Sequence, residues 1–244
     1  MAKPKKKTSG FSLLRKDYAK KLVNVEKQEI ILEKKALEFI NLGKVKEAEE
    51  LYRKLIKDGS SNHVVYGNLA ALCGMSGRQK EMIRLLEIAI KIEPSYSDAH
   101  TNLGIVLMNQ KAFKAAVISF RKAIKFDPNN SNAYYNLGTL FEEKGDLRDA
   151  IKLYRQAIQV NPTNPKPYNN LGSVLQKQGN FQDAVDSLRK AVKLDSTYSK
   201  AFYNLGTTYN CQNNFQEAIK HYKKAAIKDP RAKLKLASLG IDLQ

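Results

Sequence analysis

Five asparagines stand immediately before a Leu-Gly or Leu-Ala pair: Asn68, Asn102, Asn136, Asn170 and Asn204. They are spaced 34 residues apart without a gap. Self-similarity at one short period means that a single supersecondary unit is repeated, and that no unit buries its apolar face alone. On this period the chain divides into six repeats, 29–62, 63–96, 97–130, 131–164, 165–198 and 199–232. Residues 1–28 are expected to be a basic tail with a leading helix capped by Ser12, and 233–244 a C-terminal capping helix.

The fourth repeat shows the slots most clearly. Tyr134, Leu137, Gly138 and Phe141 share one helical stripe, and Ala150, Tyr154 and Ala157 share another. Between them "EKGD" holds a glycine where the first helix must stop, and Pro162 bars the second helix from continuing. Small residues at Gly138 and Ala150 let the two helices cross closely. The third, fifth and sixth repeats fill the same slots, with Gly104, Gly172 and Gly206 after leucine. This order of aromatic, Leu-Gly, aromatic, alanine, aromatic and proline resembles tetratricopeptide repeats. The resemblance implies an all-α, right-handed superhelical solenoid of tandem helix-turn-helix units.

Departures carry their own expectations. The first repeat has Lys35 in the leucine slot and Ser60 in the proline slot, as an atypical terminal unit. Met82 replaces the small alanine of the second repeat and is expected to loosen packing there. Ser196 replaces the proline of the fifth, so that helix end is expected to be less sharply set. Leu239-Gly240 falls in register with the earlier Leu-Gly pairs. It reads as the first helix of a seventh unit, with Leu234, Leu236, Leu239 and Ile241 covering the sixth.

Composition bounds the functional classes. With 43% hydrophobic and 27% charged residues, the chain has enough apolar material for a core, yet no apolar run long enough to span a bilayer. "MAKPKKKTSG" has no apolar stretch behind its lysines, so no secretory signal is expected, and two distant cysteines, Cys73 and Cys211, fit a reducing, cytoplasmic setting. The net charge of +18 favours acidic partners, nucleic acid or an anionic membrane surface, although solvated faces and a solubilising tail account for it more simply. His63, His100 and His221 occupy different slots, so a shared metal site is not expected. There is no phosphate-binding glycine loop and no nucleophile motif. Adjacent Glu142 and Glu143 diverge on one helix, and Tyr134, Tyr154, Tyr168 and Tyr222 fall in packing slots. The chain is therefore read as a binding module, not an enzyme, with no catalytic residue, metal or cofactor.

In a solenoid of this kind the first helices line the concave face. Positions 2, 5, 6, 9, 12 and 13 of each repeat then share that face. They include Tyr135, Asn136 and Thr139 in the fourth repeat, Lys166, Asn169 and Asn170 in the fifth, and Lys200, Tyr203 and Asn204 in the sixth. The face is polar but mostly uncharged. A carboxamide is both donor and acceptor. A row of them either grips the backbone of an extended peptide or ties neighbouring first helices together, and the sequence leaves both readings open.

The "YNLG" and "TNLG" forms resemble the long tetratricopeptide arrays of O-GlcNAc transferases and related bacterial proteins. In that family an asparagine ladder grips substrate polypeptides, and the resemblance makes Asn68, Asn102, Asn136, Asn170 and Asn204 the equivalent ladder. The family's glycosyltransferase domain is absent from these residues, so the resemblance implies recruitment and not transfer. A second branch clamps the acidic tails of chaperones, but the corresponding positions here lack the clamp's first lysine and final arginine. The expected function is a scaffold that binds an extended peptide or protein segment in its groove, as the recruiting part of a larger enzyme or complex. The alternatives are a nucleic-acid binder using basic ends and convex lysines, and a solenoid that self-associates into a homo-oligomer.

Overall fold

Each turn between helices is set by a few side chains. The computed structural model describes residues 27–241, which hold thirteen helices. The first-helix series is α1 (27–41), α3 (His63–Met75), α5 (Ser97–Asn109), α7 (Ser131–Glu143), α9 (Pro165–Lys177) and α11 (Ser199–Cys211). The second-helix series is α2 (Val45–Lys57), α4 (Gln79–Ile92), α6 (Phe113–Phe126), α8 (Leu147–Val160), α10 (Phe181–Leu194) and α12 (Phe215–Ala225), followed by α13 (Pro230–Ser238). Asparagines cap several first helices: Asn62 accepts from the Val64 amide, Asn130 from Ala133 and Asn164 from Lys166. The turn into the second helix needs a left-handed residue. Gly145 supplies it in the fourth repeat at φ +84°, and Lys111 and Asn213 adopt the same region in the third and sixth. The leading helix expected after Ser12 lies outside the described residues.

The described residues form two compact units that part between Ala99 and His100. In the second unit α8 packs against α7 and α9, and α10 against α9 and α11. A stripe of completely buried side chains runs down each second helix: Ala116, Phe120 and Ala123, then Ala150, Tyr154 and Ala157, and so on through Ala218, Tyr222 and Ala225. Burying one such large side chain is worth about 1.5–3 kcal/mol. The first helix meets this stripe with glycine. A Cβ on Gly172 would sit 2.5 Å from Leu188 Cγ and 3.1 Å from the Ala184 carbonyl oxygen. No helix among the described residues is long and apolar enough to cross a membrane.

Several expectations are corrected. Met82 does not loosen its repeat: it is 8% exposed, and its Sδ fills the space over Gly74, where a Cβ would lie 2.8 Å away. Ser196 does not blur the end of α10. Asp195 takes φ −135°, as Asp127 does at the proline-bearing end of α6, because its carboxylate accepts from the Thr197 amide and hydroxyl at 2.8 and 2.9 Å. The last helix begins at Pro230, not 233, with Asp229 accepting from the Arg231 amide. Gly240 lies beyond this helix at φ +71°, so Leu239-Gly240 is a helix stop and not a crossing pair. Leu236 is fully buried against the sixth repeat, with Leu239 and Ile241 packed beside it, whereas Leu234 is 73% exposed.

The first unit is stapled by ions. Arg78 forks onto Glu49 with two bonds of 2.6 Å, and Arg53 joins Glu49 and Glu81 at 2.9 and 2.7 Å. The Arg78 side-chain bond is the main cause that holds the Glu49 carboxyl down at about 2.

Candidate functional site

In the second unit α9 packs directly against α7 and α11, whereas α8, α10 and α12 make no comparable contact with one another. The first helices therefore form one wall. Period and packing put positions 2, 5, 6, 9, 12 and 13 on its open side, but burial varies sharply along it. Lys166 and Lys200 are exposed. Tyr135, Asn136, Thr139, Tyr203 and Asn204 are half-buried. Asn169 and Asn170 are 0% and 8% exposed, which corrects their expected placement on an open groove surface.

The reason is a hydrogen-bond chain between repeats. Asn204 Nδ2 donates to Asn169 Oδ1 at 2.9 Å, and Asn169 Nδ2 donates to Asn170 Oδ1 at 2.9 Å. Asn170 Nδ2 then donates to the Tyr154 and Tyr135 hydroxyl oxygens at 3.2 and 3.4 Å. The Tyr154 hydroxyl in turn donates to Glu142 at 2.8 Å, and Glu142 pairs with Lys177 at 2.7 Å. Burial pushes the Tyr154 and Tyr135 phenols up, so both remain protonated donors at neutral pH. The chain satisfies its buried amides internally, as polar groups withdrawn from water must be.

The other asparagines are placed differently. Asn68, on α3 of the first unit, donates to the Tyr52 hydroxyl at 3.1 Å. Asn136 donates to the Asn132 carbonyl of its own helix at 2.8 Å. Asn102, on α5, is half-buried. Thr139 donates to the Tyr135 carbonyl and lies 3.4 Å from the Tyr154 hydroxyl. Tyr203 carries the Arg231 guanidinium 4.5 Å above its ring, and that guanidinium is also held by Asp229 at 2.6 Å. Arg231 was not singled out as a site residue, because it falls at position 33 of the sixth repeat, outside the positions that share the open face.

The histidines serve packing. His63 meets the edge of Tyr96, His100 stacks on Phe126, and His221 stacks between Phe202 and Tyr209. Burial pushes the His221 pKa down. Among the described residues no three His, Cys, Asp or Glu side chains converge to hold a metal.

Paired helices, glycine crossings and first helices in mutual contact define an all-helical repeat scaffold of the solenoid class. Models described as TPR repeat or tetratricopeptide repeat match residues 97–130, 119–152, 140–179 and 165–226. The chain is a tetratricopeptide-repeat protein. A sequence search of curated proteins finds no match. Similar solved structures include YrrB, described as a TPR protein with an unusual peptide-binding site, at 23% identity and TM-score 0.60, over 78% of this chain and 98% of its own. Pseudomonas aeruginosa PilF is 22% identical with TM-score 0.67, over 72% and 83% of the two chains. A chain of the APC/C hetero-tetramer Cut9–Hcn1 is 15% identical with TM-score 0.76, over 84% of this chain and 41% of its own. At such identities the likeness is one of fold. Scaffolds of this fold serve protein–protein interaction.

Proposed function

We propose that the second unit binds an extended peptide or protein segment along the joined face of α7, α9 and α11, as the recruiting part of a larger complex. The observation that carries this reading is the wall itself. α9 touches both α7 and α11, and the chain from Asn204 through Asn169 and Asn170 to Tyr135 links all three. A rigid polar surface loses little freedom when it orders a flexible ligand. Asn136, bonded only within its own helix, and exposed Lys166 and Lys200 at equivalent positions of α9 and α11 supply the contacts. The tied pair Asn169 and Asn170 shapes the wall and does not itself grip the ligand. YrrB, a fold neighbour described by its peptide-binding site, supports the assignment of ligand class.

The test selects peptides from a displayed random library on the full chain and measures their affinity for variants. Combining Asn136→Ala, Lys166→Ala and Lys200→Ala should weaken a selected peptide about a hundredfold, at about 0.5–1.5 kcal/mol for each neutral bond and more for each charged one. Selected peptides that bind this variant as tightly as the parent chain would remove the face from consideration.

A further inference from the structure

Residues 100–241 carry 22 Lys and Arg against 10 Asp and Glu, whereas residues 27–99 carry 12 against 11. The excess in the second unit is ordered. With Ser131 as position 1 of its repeat, position 24 is the fully buried Tyr154, and position 25 lies about 100° further round the helix, turned out to solvent. That position holds Arg121 on α6, Arg155 on α8, Arg189 on α10 and Lys223 on α12, all exposed. Position 26 adds Lys122, Lys190 and Lys224, also exposed. None of these side chains forms an ion pair among the described residues. The carboxylates of these helices, Asp149, Asp183, Asp186 and Glu217, all lie in their N-terminal halves. Asp149 lines one cavity with Arg121, and Asp186 and Glu217 lie near Arg189, yet none closes an ion pair with a position-25 cation among the described residues. In the first unit the same position holds Arg53, neutralised by Glu49 and Glu81, and then Glu87.

Unpaired like charges in register repel one another, and solubility alone is served as well by interspersed signs. A regular row of cations suits a polymer with regularly spaced anions. We propose that the outer face of α6, α8, α10 and α12 is a ridge that binds the phosphate backbone of double-stranded nucleic acid, independently of the opposite polar face. Three of the four position-25 cations are arginine, whose planar fork matches phosphate with two parallel bonds. The flanking helices expose Ile118 and Phe126 on α6 and Phe215 on α12, but no large apolar side chain is exposed on α8 or α10. The centre of the ridge thus lacks the wedge that interfacial insertion into a bilayer uses. It also lacks an exposed aromatic on which single-stranded bases would stack, so a duplex read without regard to sequence is the fitting ligand.

The test is fluorescence anisotropy of the full chain with a labelled random-sequence DNA duplex of about 20 base pairs, from about 50 to 300 mM salt. The ridge variant combines Arg121→Gln, Arg155→Gln, Arg189→Gln and Lys223→Gln, and a control carries Lys166→Gln with Lys200→Gln. The parent chain should bind at low salt with a steep negative slope of log K against log salt. The ridge variant should bind about a hundredfold or more weakly near 0.1 M salt, with a slope shallower by about 3–4, because each phosphate contact contributes about 0.9. The control should match the parent. All substituted side chains are exposed, and an unchanged melting curve verifies the fold. Failure of the parent to bind, an unchanged slope in the ridge variant, or tighter ridge-dependent binding to phosphatidylserine vesicles than to duplex would each overturn the proposal.

Discussion

Asn170 donates to the phenol oxygen of Tyr154 at 3.2 Å, and Asn68 donates to Tyr52 at 3.1 Å in the same relation. In each case an asparagine of one repeat reaches the tyrosine 16 residues upstream, on the second helix of the repeat before it. Where that residue is Phe120, Asn136 turns back to its own helix; where it is Leu188, Asn204 bonds Asn169 instead. One periodic residue thus has different roles, set by whether its upstream neighbour carries a hydroxyl.

Removing that hydroxyl should cost stability without disturbing packing. Phe120 already fills the slot in the third repeat, so Tyr154→Phe fits sterically. It leaves Asn170 one acceptor poorer and Glu142 one donor poorer, at about 1–2 kcal/mol. The urea midpoint should fall with an unchanged m-value. Phe120→Tyr should bring no net gain: Asn136 could reach the new hydroxyl, but Ile105 and Met108 of the same cluster stand where Thr139 and Glu142 accept from Tyr154, so its proton would have no partner. An unaltered midpoint for Tyr154→Phe would mean that the inter-repeat bond is energetically idle.

Much of this was legible in the sequence, and the reason is periodicity. The glycine and alanine slots predict helix crossings because a small residue at a fixed position permits only close approach, and Gly172 against Ala184 shows it. The burial of Asn169 was not legible. Its slot holds Tyr135 and Tyr203 in the neighbouring repeats, and bonds to Asn170 and to the next repeat's Asn204 hold it inward. Compensations were equally hidden: Met82 reads as a defect until Gly74 is seen beneath it, and Ser196 until Asp195 is seen to close the turn. Slot reading treats positions singly, whereas these are pair properties.

Two glycine-to-alanine changes should differ in size because their causes differ. At Gly172 a methyl group would meet Leu188 Cγ and a carbonyl oxygen, so the helices must move apart. At Gly145 there is open space, and the cost is only the left-handed backbone at φ +84°. Gly172→Ala should lose about 2–3 kcal/mol and Gly145→Ala about 1 kcal/mol. Thermal melts of the two variants give the order directly, and a larger loss at Gly145 would contradict the crossing geometry.

Acid should loosen the first unit through Glu49. Its carboxyl pKa falls from 4.5 to about 2 in the folded chain, chiefly through the Arg78 bond. A depressed carboxylate pKa stabilises fully above the unfolded value, and that stabilisation is lost as pH falls from there through the folded value. The window is therefore between about 4.5 and 2. Solvent screening of this partly exposed cluster limits the contribution to about 1–2 kcal/mol. Glu49→Gln should lower stability at neutral pH and flatten the loss across that window, as followed by denaturation at stepped pH. A parallel pH profile for parent and variant would assign the acid sensitivity elsewhere.

Asn136 and Asn170 occupy the same slot, and replacing each with alanine should give opposite results. Asn170 is buried and bonded across the repeat boundary, so Asn170→Ala strips partners from Asn169, Tyr154 and Tyr135. Leaving buried polar groups unpaired costs about 1–3 kcal/mol, more than alanine's better helix propensity returns. Asn136 bonds only the Asn132 carbonyl, which already accepts from its own helix, and alanine there removes no tie between repeats. Asn136→Ala should therefore keep or slightly raise the melting temperature while weakening a groove-bound peptide by up to about tenfold. Asn170→Ala should lower the melting temperature first and affect the peptide only as the wall loses its register. A fall in stability at Asn136 with peptide affinity intact would make that residue a tie like its neighbour and leave the proposed groove without its central contact.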